Sequence, residues 1–283
     1  MKTLNTLVED INETLSPLSR NAEINISDDD IEELGERIKN SIKQWARPAE
    51  RNKTFSIRMS NLGRPARQLW FENKYGVNEE SLDSSKFIKF LYGHIIEELL
   101  ITLVKISGHK ITDMQKEVNL DGVSGHIDCK IDDEVVDIKS ASSFAFKKFK
   151  NESLTEDDPF GYITQLAAYE KHEGSKEGGF LVLNKESGEL TLYQPEELDK
   201  PYIPDRIEYV KSSFKKNDPP PLCYEPVPEG VKGNKKLNKN CTYCQFKFKC
   251  FDSLRVFKYA KGPVFLSKVV VEPKVEEITN EFT

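Results

Sequence analysis

Hydrophobic positions change their spacing along this chain, and the changes mark out its elements. Ile31, Leu34, Ile38 and Ile42 recur at helical spacing just after Asp28-Asp29-Asp30. They predict an amino-capped amphipathic helix over residues 29–45, stopped at Arg47-Pro48 because the residue before a proline avoids the helical region. A second helix is expected over 60–71, with Ser60 as its cap. A long third helix starts at Ser84 or Ser85 and runs through Phe87, Phe90, Leu91, Ile95, Leu99 and Val104 to Ser107-Gly108. The period then falls to two. Residues 117–120, 123–131 and 134–138 read as three strands of a meander. Residues 159–172 read as a helix with proline near its start, 178–183 and 189–193 as a hairpin about Glu186-Ser187-Gly188, and 204–216 as a further helix. Pro219-Pro220-Pro221 breaks the chain, and beyond Lys261 only a short Val269-Val270-Val271 run interrupts what reads as a tail. This order predicts an α/β fold, a central mixed β-sheet flanked by helices. The expected division is an N-terminal helical region (1–55), a core (56–218), a four-cysteine segment (219–262) and a C-terminal tail (263–283).

Composition adds limits. The 283 residues can bury a full core, with 37% hydrophobic and 31% charged residues. No apolar run approaches the length of about 18 residues that a membrane span needs, and Met1 to Asn12 lacks a leader pattern, so an intracellular, cytoplasmic protein is expected. The net charge of −6 argues weakly against a nucleic-acid partner, but the charge is uneven. Arg47, Arg51, Lys53, Arg58, Arg64 and Arg67 stand against one acid, Glu50. Lys139, Lys147, Lys148 and Lys150 form a second basic stretch.

The chemistry concentrates in the stretch from Gly125 to Lys139. If Asp132-Asp133 form a two-residue turn, Ile131 pairs with Glu134, Asp128 faces Asp137, and Lys139 shares the face of Asp137. Two carboxylates so close imply a raised pKa or a cation between them, and a hard divalent ion takes such oxygen ligands. Asp132, Asp133 and Glu134 read as a solvated hairpin tip. Asp128 and Asp137 do not, because Ile127, Val135, Val136 and Ile138 surround them. On the long helix, Phe90, Gly93, Glu97, Leu100 and Val104 share one face while Glu98 lies on a more polar one, which makes Glu97 the stronger candidate for a third ligand, with Glu98 still open. Gln165 and Tyr169 are one helical turn apart and face the same way.

Taken together, Gly125-x-x-Asp128, Asp137-Ile138-Lys139 and Gln165-x-x-x-Tyr169 resemble, in order, the motifs of the PD-(D/E)xK nucleases, in the branch of RecB-type domains and CRISPR-associated RecB-like exonucleases. The resemblance covers about residues 60–169 plus the cysteines. It departs from the pattern at the helical motif, where Gly93 matches but Glu97 stands in the usual histidine position and His94 is misplaced. The resemblance implies a Mg²⁺- or Mn²⁺-dependent DNA nuclease. Glu97, Asp128, Asp137 and the backbone carbonyl of Ile138 would hold the metal, Lys139 would assist the water, and Gln165 and Tyr169 would orient substrate. It favours exonuclease action on DNA ends in replication, recombination or repair. An endonuclease, a subunit dependent on a helicase or recombination partner, and a non-catalytic nucleic-acid-binding protein stay open. No helicase phosphate-binding loop is present, so any motor is a separate chain.

Four of five cysteines cluster late. Cys241-x₂-Cys244-x₅-Cys250, with Cys223 upstream, has metal-ligand spacing, and four local thiolates suit a structural Zn²⁺ or a [4Fe–4S] cluster. The resemblance tips this toward iron–sulfur, although the upstream Cys-Pro-Arg of that branch is here Pro65-Ala66-Arg67. Arg58, Arg64 and Arg67 suit DNA phosphates, and Lys147 and Lys148, interleaved with Phe144, Phe146 and Phe149, suit a single strand.

Overall fold

The computed structural model describes residues 2–47, 55–76 and 84–278. Its helices are α1 (Leu7–Leu15), α2 (Asp28–Ala46), α3 (Met59–Leu62), α4 (Ala66–Tyr75), α5 (Ser84–Ile106), α6 (Ser143–Lys150), α7 (Tyr162–Glu173), α8 (Ile203–Phe214), α9 (Lys239–Thr242) and α10 (Lys247–Cys250). Its strands are β1 (Ile111–Thr112), β2 (Glu117–Leu120), β3 (Val123–His126), β4 (Cys129–Ile131), β5 (Glu134–Ala141), β6 (Gly179–Asn184), β7 (Leu190–Tyr193), β8 (Val227–Glu229), β9 (Asn234–Lys236), β10 (Arg255–Tyr259) and β11 (Gly262–Lys268). Among the described residues, no helix is long and apolar enough to cross a membrane. The chain forms two compact units. The first is Met1–Gly63 with Glu79–Tyr209, and the second is Arg64–Asn78 with Val210–Thr283.

The first unit is built on a five-stranded sheet in the order β1-β4-β5-β6-β7. Strands β5 and β6 run parallel and the other pairs antiparallel, so the expected mixed sheet flanked by helices is present. Alternation along the strands assigns the two faces. Cys129, Ile131, Val136, Ile138 and Leu181 pack against Leu100, Ile101 and Val104 of α5 and Leu7 and Ile11 of α1. Phe180 meets Phe149 of α6 and Tyr193 in ring contacts 5.5 and 6.1 Å apart. The N-terminal helices α1 and α2 belong to the first unit, with α1 packed in its core. Leu7 and Ile11, one turn apart on α1, are fully buried in the sheet's core. Helix α2 starts one residue earlier than expected, at Asp28, and its cap is Ser27, which forms a reciprocal capping box with Asp30.

Two expected elements are broken. The helix over 60–71 is two helices separated by Gly63, Arg64 and Pro65; Pro65 lacks an N–H and pushes Arg64 out of the helical region. The strand over 123–131 divides at Ile127-Asp128, so β2 and β3 form a hairpin of their own rather than joining a three-stranded meander. There the backbone switches partner. Ile127 N–H donates to Lys116 at 3.1 Å, and Gln115 N–H donates to the Asp128 carbonyl at 3.0 Å.

The second unit has a four-stranded antiparallel sheet, β10-β11-β9-β8. Leu237, Val256 and Phe265 form its small core, and Trp70, Phe71 and Phe246 form another, with Phe71 stacked on Phe246. The expected tail at 263–283 is replaced over its first part by β11, which pairs with β10 through a turn at Gly262, whose φ is 116°. Chain further on bridges Phe257 at Glu277.

Candidate active site

The Asp132-Asp133 turn forms as the sequence suggests. Both residues lie in the left-handed region, at φ 51° and 74°, which aspartate tolerates and a two-residue hairpin with primed geometry demands. Lys110 N–H donates to Asp132 Oδ1 at 3.0 Å. His109, with a fully buried side chain, lies between Asp132 Oδ2 at 2.6 Å and Asp10 Oδ2 at 2.9 Å. The ladder runs from Ile131↔Glu134 to Cys129↔Val136. The expected Asp128–Asp137 pairing does not follow. Asp128 has left the strand for the loop at Gln115, and its Oδ2 accepts the backbone N–H of Ile138 at 2.8 Å. The acid still arrives at the same end of β5, anchored to the residue between Asp137 and Lys139.

Asp137 is 2% exposed. Its Oδ1 accepts the Gln165 amide at 3.2 Å, and the same amide nitrogen contacts the Tyr169 hydroxyl at 3.2 Å, so α7 presents both residues to the acid. Asp137 Oδ2 is buried, and the Lys139 ammonium is ion-paired with it. Gly125 fits this arrangement by having no side chain, since a Cβ there would come within 2.7 Å of the Tyr169 ring.

Glu97 approaches from α5. Burial pushes its carboxyl up to about 8, and the charges of Asp128, Glu98 and Asp137 add to the rise against the Gln115 hydrogen bond. Burial, then Asp137, raise Asp128 to about 7, opposed by Lys139 and the Ile138 amide. Burial alone would lower Lys139, but Asp137 and Asp128 outweigh it and hold the ammonium above its ordinary range. Burial raises Tyr169 to about 12. Glu98, expected to face outward, is instead bound by Arg37 of α2 at 2.9 Å and by Ser41 at 3.3 Å, which turns its carboxylate toward α2.

Sequence reasoning missed Gln115. Its side-chain amide donates to Glu97 at 2.5 Å while its backbone N–H holds the Asp128 carbonyl. It does so from a left-handed conformation, φ 52°, which an ordinary residue rarely adopts. No local pattern announces this; only the fold brings residue 115 between 97 and 128.

Asp137 and Asp128 thus face the Lys139 ammonium, and Glu97 feels the charges of both acids. Among the described residues, no three His, Cys, Asp or Glu side chains are already drawn to metal-ligand geometry. The donor set nevertheless suits a hard divalent cation. All the donors are oxygens, burial and then mutual repulsion raise two of the carboxyl pKa values, and a 2+ charge would offset both.

In the second unit, Cys223, Cys241, Cys244 and Cys250 line a single cavity of about 30 Å³, together with Arg67, Phe71 and Phe246. All four are free thiols. Burial raises Cys223 to about 11 and Cys241 to about 12, and the neighbouring sulfurs raise both further. Four soft donors on one small cavity fit a thiophilic metal.

The basic candidates divide. Arg58 is exposed at the start of α3, and Lys147 is exposed on α6. Lys148 is committed to Asp157, donating to its carboxylate and its carbonyl at 2.7 Å each. Arg67 is not a free phosphate fork. Its Nε donates to Cys250 Sγ at 3.1 Å and its Nη1 to the Pro220 carbonyl at 2.6 Å, so it belongs to the cysteine cavity. Arg64 lies 3.7 Å from the buried Glu72 carboxylate. Of the six residues in the stretch between Arg47 and Arg67, Arg51 and Lys53 lie outside the described residues.

No family model matches this chain, and no curated protein matches it. Among solved structures, one described as "Crystal structure of SSO0001" is similar over 78% of this chain and 94% of its own, at 17% identity and a TM-score of 0.39.

Proposed function

We propose that the protein is a metal-dependent DNA nuclease of the PD-(D/E)xK type that hydrolyses phosphodiester bonds, with exonuclease action on DNA ends favoured by the sequence resemblance. The observation that carries this reading is the buried Asp137 carboxylate, ion-paired with Lys139 and grouped electrostatically with Glu97 and Asp128. Glu97, Asp128, Asp137 and the Ile138 carbonyl would hold Mg²⁺ or Mn²⁺. Such an ion supplies Lewis acidity to the phosphate and lowers the pKa of a bound water.

The chain's own residues do the rest. Lys139, its pKa held high by two carboxylates, stays charged at any working pH, so it serves as a fixed positive charge for the developing phosphate anion and not as a base. Gln165 fixes the orientation of Asp137 through Oδ1 and leaves Oδ2 toward the site. Tyr169, neutral at working pH, orients Gln165 through its hydroxyl. Gln115 holds Glu97 and Asp128 in mutual register.

The test is degradation of end-labelled linear single- and double-stranded DNA, with a closed circle as control, in Mg²⁺, Mn²⁺ or chelator. Metal-dependent loss of linear DNA is expected for the wild type and none for Asp137→Ala. A wild type as inert as the variant on every substrate removes the catalytic reading.

We further propose that Cys223, Cys241, Cys244 and Cys250 hold a structural metal, a [4Fe–4S] cluster or Zn²⁺, that fastens the second unit. Protein purified without oxygen is expected to carry either visible absorption with iron and sulfide or about one zinc per chain. Cys244→Ser is expected to lose that metal and unfold at lower temperature. A metal-free wild type of unchanged stability under chelation would rule the site out.

A further inference from the structure

We propose that Phe160 is a stacking platform for an unpaired nucleobase at the edge of the candidate active site, so that the protein engages its substrate there as a single strand. The inference rests on the nuclease reading and deepens it.

Phe160 is 57% exposed, unusual for a phenylalanine so close to a buried charge cluster. Its ring stacks on Tyr162, with centroids 5.5 Å apart and planes 26° from parallel. The Lys139 ammonium lies 5.2 Å from the centroid of that same Tyr162 ring. Two contacts therefore lead from an open aromatic surface to the cation set for the phosphate. Through Tyr162, the Phe160 ring and the Lys139 ammonium are close enough for adjacent nucleotides of one strand to meet both.

The loop that carries Phe160 is fixed. Asp158 Oδ1 accepts the N–H groups of Gly161 and Tyr162 at 2.9 and 3.0 Å, and its Oδ2 accepts that of Ile163 at 3.0 Å. Lys148 ties Asp157 down at the other side of Phe160's loop. The backbone of Gly161 lies directly on that of Gly63. An exposed ring on a loop held this tightly is already ordered, so stacking a base on it costs little further entropy. A second exposed ring, Phe144, is 72% exposed and lies 5.9 Å from the Lys148 ammonium that binds Asp157. Aromatic faces with nearby cations accept any base and favour unstacked strands over duplex, whose bases are already stacked.

The experiment uses the full chain and two fluorescently labelled probes, a 20-nucleotide single strand and a blunt duplex of the same sequence, in chelator so that nothing is cut. Wild type, Phe160→Ala and Phe160→Trp are compared by anisotropy, with metal-dependent cleavage and melting temperature measured alongside. Phe160→Ala is expected to weaken single-strand binding about tenfold and duplex binding less than twofold. Phe160→Trp is expected to restore binding, and its added indole emission to be quenched by the single strand. If Phe160→Ala binds the single strand as the wild type does, or if the indole does not respond, the platform is wrong while the nuclease reading stands on the cleavage assay. If the wild type neither binds nor cuts either probe, both fall together.

Discussion

Glu97→Gln is expected to make the metal-free protein more stable and the metal-loaded protein inactive. The carboxyl of Glu97 ionises near pH 8 in the folded chain, against an ordinary value of 4.5. Below about pH 4.5 the group is protonated in folded and unfolded chains alike, and it contributes nothing to pH dependence. As pH rises from there toward 8, the unfolded chain releases the proton freely while the folded chain retains it, so stability falls across that window. The shift corresponds to a few kcal/mol at pH 8, roughly 2–4 after allowance for solvent relaxation around the site. Glutamine keeps the size and an acceptor for the Gln115 amide but carries no charge to bury. Calorimetry in chelator is expected to show a gain of roughly 5–10 °C at pH 8 and little gain at pH 5. With Mg²⁺ or Mn²⁺, the same variant is expected to lose on the order of a hundredfold or more in cleavage, because a ligand is gone. A variant no more stable than the wild type at pH 8 would show that Glu97 is not held among the other acids.

The second large effect is structural. Gly63→Ala is expected to cost about 4 kcal/mol or more, enough to unfold the chain at moderate urea. A Cβ on Gly63 would sit 2.4 Å from the Gly161 carbonyl oxygen, and one on Gly161 would sit 2.3 Å from the Gly63 carbonyl carbon. Both obstacles are backbone, so no side chain can swing aside. Gly161 carries a second penalty, since its φ of 75° is strained for alanine. Gly63 has an ordinary φ of −79°, so its substitution isolates the close approach. If equilibrium unfolding places Gly63→Ala within about 1 kcal/mol of the wild type, the two loops separate at little cost. The contact also concerns the site, because Gly161 begins the helix that brings Gln165 and Tyr169 to Asp137.

What the sequence revealed, and what it hid, follows from the range of the interactions involved. The hairpin turn and the helical spacing of Gln165 and Tyr169 are local, and both form as read. The position of Asp128 was misread because apolar alternation continues without a mark from Val123 to Ile131, while the break at Ile127-Asp128 is imposed by residues 115 and 116 of a preceding loop. The periodicity of α5 alone points Glu98 outward, but Arg37, sixty-one positions earlier, binds it. Arg67 sits in a basic stretch that suggests phosphate, yet its partners are Cys250 and Pro220, more than 150 positions away. The hydrophobic pattern thus located the acids, and tertiary contacts decided which of them share a site.

The second unit is assembled from two stretches of chain that the first unit's sequence separates. Trp70 donates its indole N–H to the Lys216 carbonyl at 3.1 Å, and Phe71 stacks on Phe246, so α4 is an integral wall of the cysteine cavity rather than a neighbour to it. A gene truncated after residue 218 would keep every acid of the candidate active site but strand α4, with Phe71 and part of Trp70 left facing water. Loss of the cysteine segment by simple shortening of the reading frame is therefore disfavoured: a viable descendant without it must also rewrite a helix encoded about 150 codons upstream. That interleaving couples the inheritance of the two units, even though their chemistries are separate.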